Sequence, residues 1–330
     1  MSSSTKEIKV TFNTLTPLWT GDAWGDNREI RPSSIMGSLR FWFEVYCKSI
    51  GKSIGKLNIN GVPSDVLDDY LKNYNKKNNV KETFQSLLLK EETKGYNYSD
   101  PLMNVLKKIQ LPLPSIIFGC AGWKSQIKIN NINYEKYRLK KSDINFSALY
   151  NKLENIKTQD SLFWANKLLF EDKEEIILFE SVVISLLATN NMVFDELIKF
   201  LEFYKDKIII VGGKKSFGFG FCKIETDLQL DKINLEKEKK KCFAYKRINV
   251  SNLNLATDKI VLGFNFKHYQ RLKEQKKYRK INFGEQGKAS NFFFSTKLKN
   301  QNEIYIVCFN GYLEEKFTNL LSKYSNFGGN

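Results

Sequence analysis

Three stretches of the sequence gather residue types that hold phosphate. The first is Ile30-Arg31-Pro32-Ser33-Ser34-Ile35-Met36-Gly37-Ser38-Leu39-Arg40-Phe41-Trp42-Phe43. Apolar residues three and four apart predict a helix with Ser33 or Ser34 as its cap. Such an N-terminus offers unpaired N–H groups and a positive dipole end. Ser33, Ser34 and Ser38 add hydroxyl donors, Gly37 lets a ligand approach the backbone, and Arg31 and Arg40 supply charge. The same residues also fit a plain capped helix, so the pattern leaves both readings open.

The second stretch is Gly212-Gly213-Lys214-Lys215-Ser216-Phe217-Gly218-Phe219-Gly220. Its glycines allow successive amides to converge on an anion, with Lys214, Lys215 and the rings of Phe217 and Phe219 to hold phosphate and base. The run leads into a strand rather than a helix. That argues against a Walker loop or a dinucleotide fingerprint, and so against nucleotide hydrolysis. A glycine-rich turn is the plain alternative. The third stretch, residues 267–280, sets Lys267, Arg271, Lys273, Lys276, Lys277, Arg279 and Lys280 against the single acid Glu274. Lys273, Lys276, Lys277 and Lys280 would share one helical face. After it, residues 284–290, with Lys288 and Ser290, could form another amide-lined loop.

Chemistry of other kinds has little to build on. His268 is the one histidine, which excludes a multi-histidine metal site and leaves an acid–base nuclease without a pair. The five cysteines are scattered without zinc-ligand spacing or a disulfide framework. No cofactor or metal is expected. Asp22, Asp26 and Glu29 share one loop and keep metal-assisted cleavage as an alternative. The 330 residues carry 52 Lys plus Arg against 36 Asp plus Glu, a formal charge of +16. A surplus of that size draws polyanions and makes binding salt-dependent. No apolar run is long enough to span a bilayer and residues 1–10 are polar, so no membrane association and a cytoplasmic location are expected.

The elements that must position these stretches read as α+β. Residues 8–15 alternate as a strand and lead through Thr16-Pro17-Leu18-Trp19-Thr20-Gly21 to the first helix. An irregular, polar insertion follows near residues 50–110, with residues 72–79 read as a solvated loop. Residues 116–118 and 125–132 are expected to form a hairpin turning at Gly119-Cys120-Ala121-Gly122-Trp123. Residues 176–188 and 194–204 show helical periodicity, and residues 207–211 and 221–226 read as strands. The order is β-α-β-β-α-β, the ferredoxin-like plan. After a charged linker at 231–241 the pattern restarts. A strand at 259–266, a basic helix at 268–280, a hairpin from 290–297 and 303–309, and a helix at 312–324 follow. Two tandem ferredoxin-like modules are therefore expected, residues 1–230 and 231–330. The second lacks a visible closing strand or borrows it from 243–250.

With these pieces in place the chain resembles the RAMP superfamily, and within it the subunit-one family of type III-B CRISPR (Cmr) complexes. The likeness rests on residues 15–21, residues 31–43, Ile117-Phe118-Gly119-Cys120-Ala121-Gly122-Trp123, residues 212–220, and Gly287-Lys288-Ala289-Ser290-Asn291-Phe292-Phe293-Phe294. Lys288 and Asn291 stand where that family usually has Arg and Pro. The resemblance implies two ferredoxin-like modules and a non-catalytic subunit that holds the 3′ part of a crRNA near bound target RNA. Its neighbours would be the other head-end RAMP subunit and the repeating backbone subunit. RNA contacts would fall on Trp19, Gly21, Arg31, Ser33, Ser34, Gly37, Ser38, Arg40, Trp123, Lys124, residues 212–220, Arg271, Lys277, Arg279, Lys280, Lys288 and Ser290. A metal-dependent RAMP endoribonuclease and a general RRM-type single-stranded RNA-binding regulator are the alternatives.

Overall fold

The computed structural model describes residues 5–21, 27–58, 63–93, 101–149, 159–228, 236–283, 290–309 and 317–327. Strand β1 (Lys6–Thr14) buries Ile8, Val10 and Phe12 on one face. Helix α1 (Pro32–Ser49) begins on Pro32, tolerated there because the first turn needs no N–H. Its cap is Arg31, with no side-chain hydrogen bond, rather than either serine. The apolar positions expected from periodicity, Ile35, Leu39, Trp42, Phe43 and Tyr46, are all buried, each contributing roughly 1.5–3 kcal/mol. Two polar atoms of this aromatic core are paired, whereas the buried Tyr46 hydroxyl has no partner among the described residues. Trp42 Nε1 donates to the Ile210 carbonyl at 2.8 Å, and the Tyr204 hydroxyl donates to the Trp42 carbonyl at 2.9 Å.

The insertion forms α2 (Leu67–Asn78), α3 (Phe84–Glu92), α4 (Pro101–Lys108) and α5 (Leu113–Phe118), around a core of its own that includes Leu87, Val105, Leu106 and Ile116. Two expectations change here. Residues 72–78 lie inside α2, which ends on a left-handed Asn79. Residues 116–118 close a short helix whose first turn contains Pro114 and whose end is Gly119 at φ +88°. An apolar run this short does not distinguish strand from helix, and the proline sits where a helix start accepts it.

The hairpin partners are instead β2 (Ile127–Lys140) and β3 (Glu175–Ala188), with α6 (Gln159–Phe170) between them. The run 176–188, read as helical, is thus a central strand. Helix α7 (Asn191–Tyr204), short edge strand β4 (Ile208–Ile210) and β5 (Phe221–Thr226) follow. The sheet order is β2-β3-β1-β5-β4, antiparallel throughout. Without the added edge strand β4 this is the ferredoxin-like arrangement. The expected order holds, with the strand read at 125–132 lying in β2 and the one read at 116–118 supplied instead by β3.

The second sheet, β6-β8-β7, comprises β6 (Phe243–Asn249), β7 (Phe292–Phe294) and β8 (Glu303–Phe309). Helices α8 (Gly263–Lys273) and α9 (Lys276–Phe283) connect β6 to β7, and α10 (Phe317–Ser325) follows β8. The first strand is therefore 243–249, not 259–266, and no fourth strand is present among the described residues. Ile260 and Val261 make only isolated bridges before Gly263 opens α8. The basic stretch is two helices, broken where Glu274 turns extended, at φ −81° and ψ 147°. The Glu274 carboxylate is buried. It accepts from Lys323 Nζ at 2.7 Å, from the Gln275 N–H at 2.8 Å and from the Tyr324 hydroxyl, tying the break to α10.

Candidate nucleic-acid interface

The glycine loop after β4 divides into a closed part and an open part. Gly212 (φ +84°) donates its N–H to Ser38 Oγ at 2.9 Å, Gly213 to the Trp19 carbonyl at 2.6 Å, and Gly220 to the Pro17 carbonyl at 2.9 Å. Ser38, expected to meet phosphate, is thus buried and engaged in holding the loop. Gly218 (φ +92°) packs against the second sheet. Thr296 N–H donates to the Gly218 carbonyl at 3.0 Å, and Thr296 Oγ1 to the Phe217 carbonyl at 2.9 Å. The Phe217 ring stacks on Phe264 at 5.8 Å between centroids. Phe217 and Phe219 were expected to hold a base, but both rings are buried at the junction of the two sheets.

Between these anchors the tip is open. Lys214 is left-handed (φ 47°, ψ 32°), and Lys215–Phe217 is a right-handed 3-10 turn. A left-handed residue followed by a right-handed one turns three successive N–H groups toward one side, forming an anion-binding concavity. Among the described residues no acceptor takes the N–H of Lys214, Lys215 or Ser216. Ser216 is exposed. Lys214 Nζ donates to the Leu168 carbonyl and lies 4.6 Å from the Trp19 ring, so its ammonium braces the loop from behind. Burial lowers the pKa of Lys214, partly opposed by Glu171, and burial alone lowers that of Lys215. Each would regain charge stability beside a phosphate.

Lys215 also reaches a second feature. Its Nζ lies 5.3 Å from the ring centroid of Phe41, the exposed aromatic on α1. Ser33, Gly37 and Phe41 are all exposed and four residues apart, so they form one stripe along α1. A Cβ added at Gly37 would meet nothing within 4 Å. Phe41 packs edge-on to Phe309, and Phe309 to Phe293. With Lys48, Lys215, Ser290 and others they line a cleft of about 350 Å³ between α1 and the β7–β8 hairpin. Lys267 Nζ lies 5.8 Å from the Phe293 ring, and burial, then Arg271, brings its pKa down to about 8. Phe41, Phe293 and Phe309 were missed as site residues because rings in apolar runs read as core. Only the solvent-facing stripe through Ser33 and Gly37 signals Phe41 from sequence.

The remaining expected residues fall in several places. Among the described residues the Arg31 guanidinium takes no partner, at the start of the same stripe. Ser34 Oγ donates to the Thr20 carbonyl at 3.0 Å. Arg40 is turned the other way. Nε donates to Glu44 at 2.9 Å, Nη1 to the Gly119 carbonyl at 2.7 Å, and Nη2 points to Ser115 Oγ at 3.4 Å, clamping the insertion onto α1. Trp19 is buried and Gly21 donates to Asn27 Oδ1 at 2.9 Å, so both shape the loop from inside. Trp123 donates to the Ile116 carbonyl at 2.8 Å and packs in the insertion core, with Lys124 exposed beside it. Arg279 is held by the Glu274 and Leu272 carbonyls, while Arg271 and Lys280 are exposed. Ser290 Oγ donates to the Phe292 carbonyl at 2.8 Å. Asp22, Asp26 and Lys288 lie outside the described residues, as does the side chain of Lys277. His268 is tucked against Phe264, and burial, then Arg271, lowers its pKa to about 4, so it is neutral at pH 7. No helix among the described residues is long and apolar enough to cross a membrane.

Comparison with curated proteins gives no match. The chain is similar to the solved crystal structure of Cmr1 from Pyrococcus furiosus in its apo form, at 12% identity over 94% of this chain and 89% of that one, with a TM-score of 0.42. It is also similar to a chain in the cryo-EM structure of the Type III-B Cmr-beta bound to cognate target RNA, at 11% identity over 97% and 99%, with a TM-score of 0.38. The family model of the RAMP superfamily matches residues 11–223, well over half of the chain, from within β1 to within β5. This chain belongs to the RAMP superfamily.

Proposed function

We propose that this protein is a non-catalytic guide-RNA-binding subunit of a type III-B CRISPR (Cmr) complex, holding the 3′ part of the crRNA at the head end beside target RNA and other RAMP subunits. The observation that carries RNA binding is the trio of unpaired amides at Lys214, Lys215 and Ser216 on a chain of net charge +16. The placement in a Cmr complex rests on superfamily membership together with the sequence resemblance at residues 15–21, 31–43 and 117–123. Backbone amides and ammonium groups read phosphate without reading base sequence, which suits a subunit that must accept any guide. The ring burial of Phe217 and Phe219 favours this mode over an RRM-type regulator, which needs exposed aromatics on its sheet strands. The neutral, half-buried His268 supports a role without acid–base catalysis.

The test is the double variant Lys215→Gln/Lys267→Gln, with single-stranded RNAs of unrelated sequence. Affinity should fall about tenfold for all of them, and the slope of log affinity against log salt should become shallower by about one to two. Unchanged affinity, or loss for a single sequence, would overturn the RNA-backbone reading. Co-purification of the wild-type chain with Cmr subunits and repeat-derived RNA checks the complex itself; recovery without either refutes it.

A further inference from the structure

We propose that the cleft between α1 and the β7–β8 hairpin receives one unstacked nucleobase, from the same nucleotide chain whose phosphate sits on the amides of residues 214–216, and that it favours a base edge bearing an amino group. This rests on the RNA-binding reading above and adds a base to it. Lys215 connects the two features. Its N–H is one of the three open amides, and its Nζ lies over the Phe41 ring, which lines the cleft. A phosphate on the loop therefore has a base-sized space within reach of its own nucleotide. The cleft measures about 350 Å³, within the range of small-molecule sites.

Its walls suit a base face. Phe41, Phe293 and Phe309 form a linked edge-to-face series with centroids 5.3 and 6.0 Å apart, and an aromatic ring accepts the π-face of any base. Lys48 and Lys215 line the same cleft, and Lys267 stands over Phe293. These cations would draw a polyanion and leave a neutral apolar peptide at a disadvantage. One wall has a different character. Glu44 lines the cleft, and its carboxylate, which accepts from Arg40 Nε at 2.9 Å, offers acceptors only. Such a group accepts from the amino group of cytosine, whereas uracil presents carbonyls around its single N–H. Among pyrimidines, cytosine is preferred.

The experiment measures binding of the full chain to three 15-mers: oligo(C) RNA, oligo(U) RNA and an abasic ribose–phosphate strand. Oligo(C) is the more stacked of the two pyrimidine strands, so unstacking opposes its binding and a tighter oligo(C) reports the base edge. The wild-type chain should bind oligo(C) about fivefold more tightly than oligo(U), and both more tightly than the abasic strand. Phe41→Ala should cost about tenfold on oligo(C) and leave the abasic strand unaffected. That unaffected binding also shows that the variant is folded and that the phosphate loop works. Glu44→Gln, which donates as well as accepts, should remove the preference for oligo(C). Equal binding of all three strands by the wild-type chain, or an unaffected oligo(C) affinity in Phe41→Ala, would overturn the base site while the phosphate loop stands. Failure of every strand to bind would instead overturn the RNA-binding reading.

Discussion

At Gly218 an added methyl group would lie 2.5 Å from the Thr296 nitrogen and 2.6 Å from the Phe294 carbonyl oxygen, whereas at Gly37 it would meet nothing within 4 Å. Both glycines belong to motifs that suggest bare backbone approached by a partner. In one the partner is inside the chain. Gly218 meets Gly263, the first residue of α8, with its Cα only 2.8 Å from the position of the missing Cβ, so two glycines let the first module's loop lie against the second sheet. In the other, an exposed helix interior forgoes about 0.8–1 kcal/mol of helix propensity relative to alanine with no contact among the described residues to explain it. A glycine in a sequence shows that backbone is uncovered. It does not show what covers it.

The largest effect expected from this contrast is at the closed site. Gly218→Ala must place a Cβ into backbone at a left-handed φ of +92°. Combined strain and overpacking should cost about 3–4 kcal/mol, read as a drop in urea midpoint. A neutral substitution would mean that the two sheets are not joined through this loop.

Gly37→Ala should act in the opposite direction on stability. It should raise the unfolding free energy by about 0.8–1 kcal/mol while weakening RNA affinity about fivefold, because a methyl group would stand where a phosphate approaches the α1 stripe. A gain in stability with unchanged affinity would mark Gly37 as plain solvent-facing surface and confine RNA contact to the loop and cleft.

How much of this was legible beforehand follows the same division. The helix over 32–49 and the strands at 6–14 and 221–226 have one buried face, so period alone identifies them. Strand β3 does not. Ile176 and Leu178 pack into the core beside α6, while Phe179, Val182, Ile184 and Leu186 enter the core under α1 and α7. The change of face occurs around Ser181, which is left-handed at φ +49°. A strand that feeds two cores has no polar side and reads as a helix. The segment 243–250 reads only as a borrowed closing strand, whereas it opens the second sheet as β6, and Glu274 looks like one acid among bases when it ends α8. The phosphate loop was visible as glycine and lysine. The assignment of its rings to the interior and of Phe41 to the surface depends on contacts between residues far apart in sequence, such as Phe217 with Phe264 and Phe41 with Phe309.

Lys267 links the closed and open regions, since it stands on the helix that starts at Gly263 and reaches the cleft at Phe293. Its pKa of about 8, below the ordinary 10.5, gives two opposite pH responses. The folded chain releases this proton near pH 8, whereas the unfolded chain retains it to about 10.5. Between those values the unfolded state binds more protons, so the contribution of Lys267 to stability rises with pH. RNA binding should move the other way, because the ammonium that attracts phosphate is lost over the same interval. Affinity should therefore fall about two- to threefold between pH 7 and 9 at fixed ionic strength, before ordinary lysines titrate. In Lys267→Gln that decline should flatten and the rise in stability should disappear with it. A decline that persists in Lys267→Gln would assign the pH response to another cation at the cleft and remove Lys267 from the RNA-binding surface.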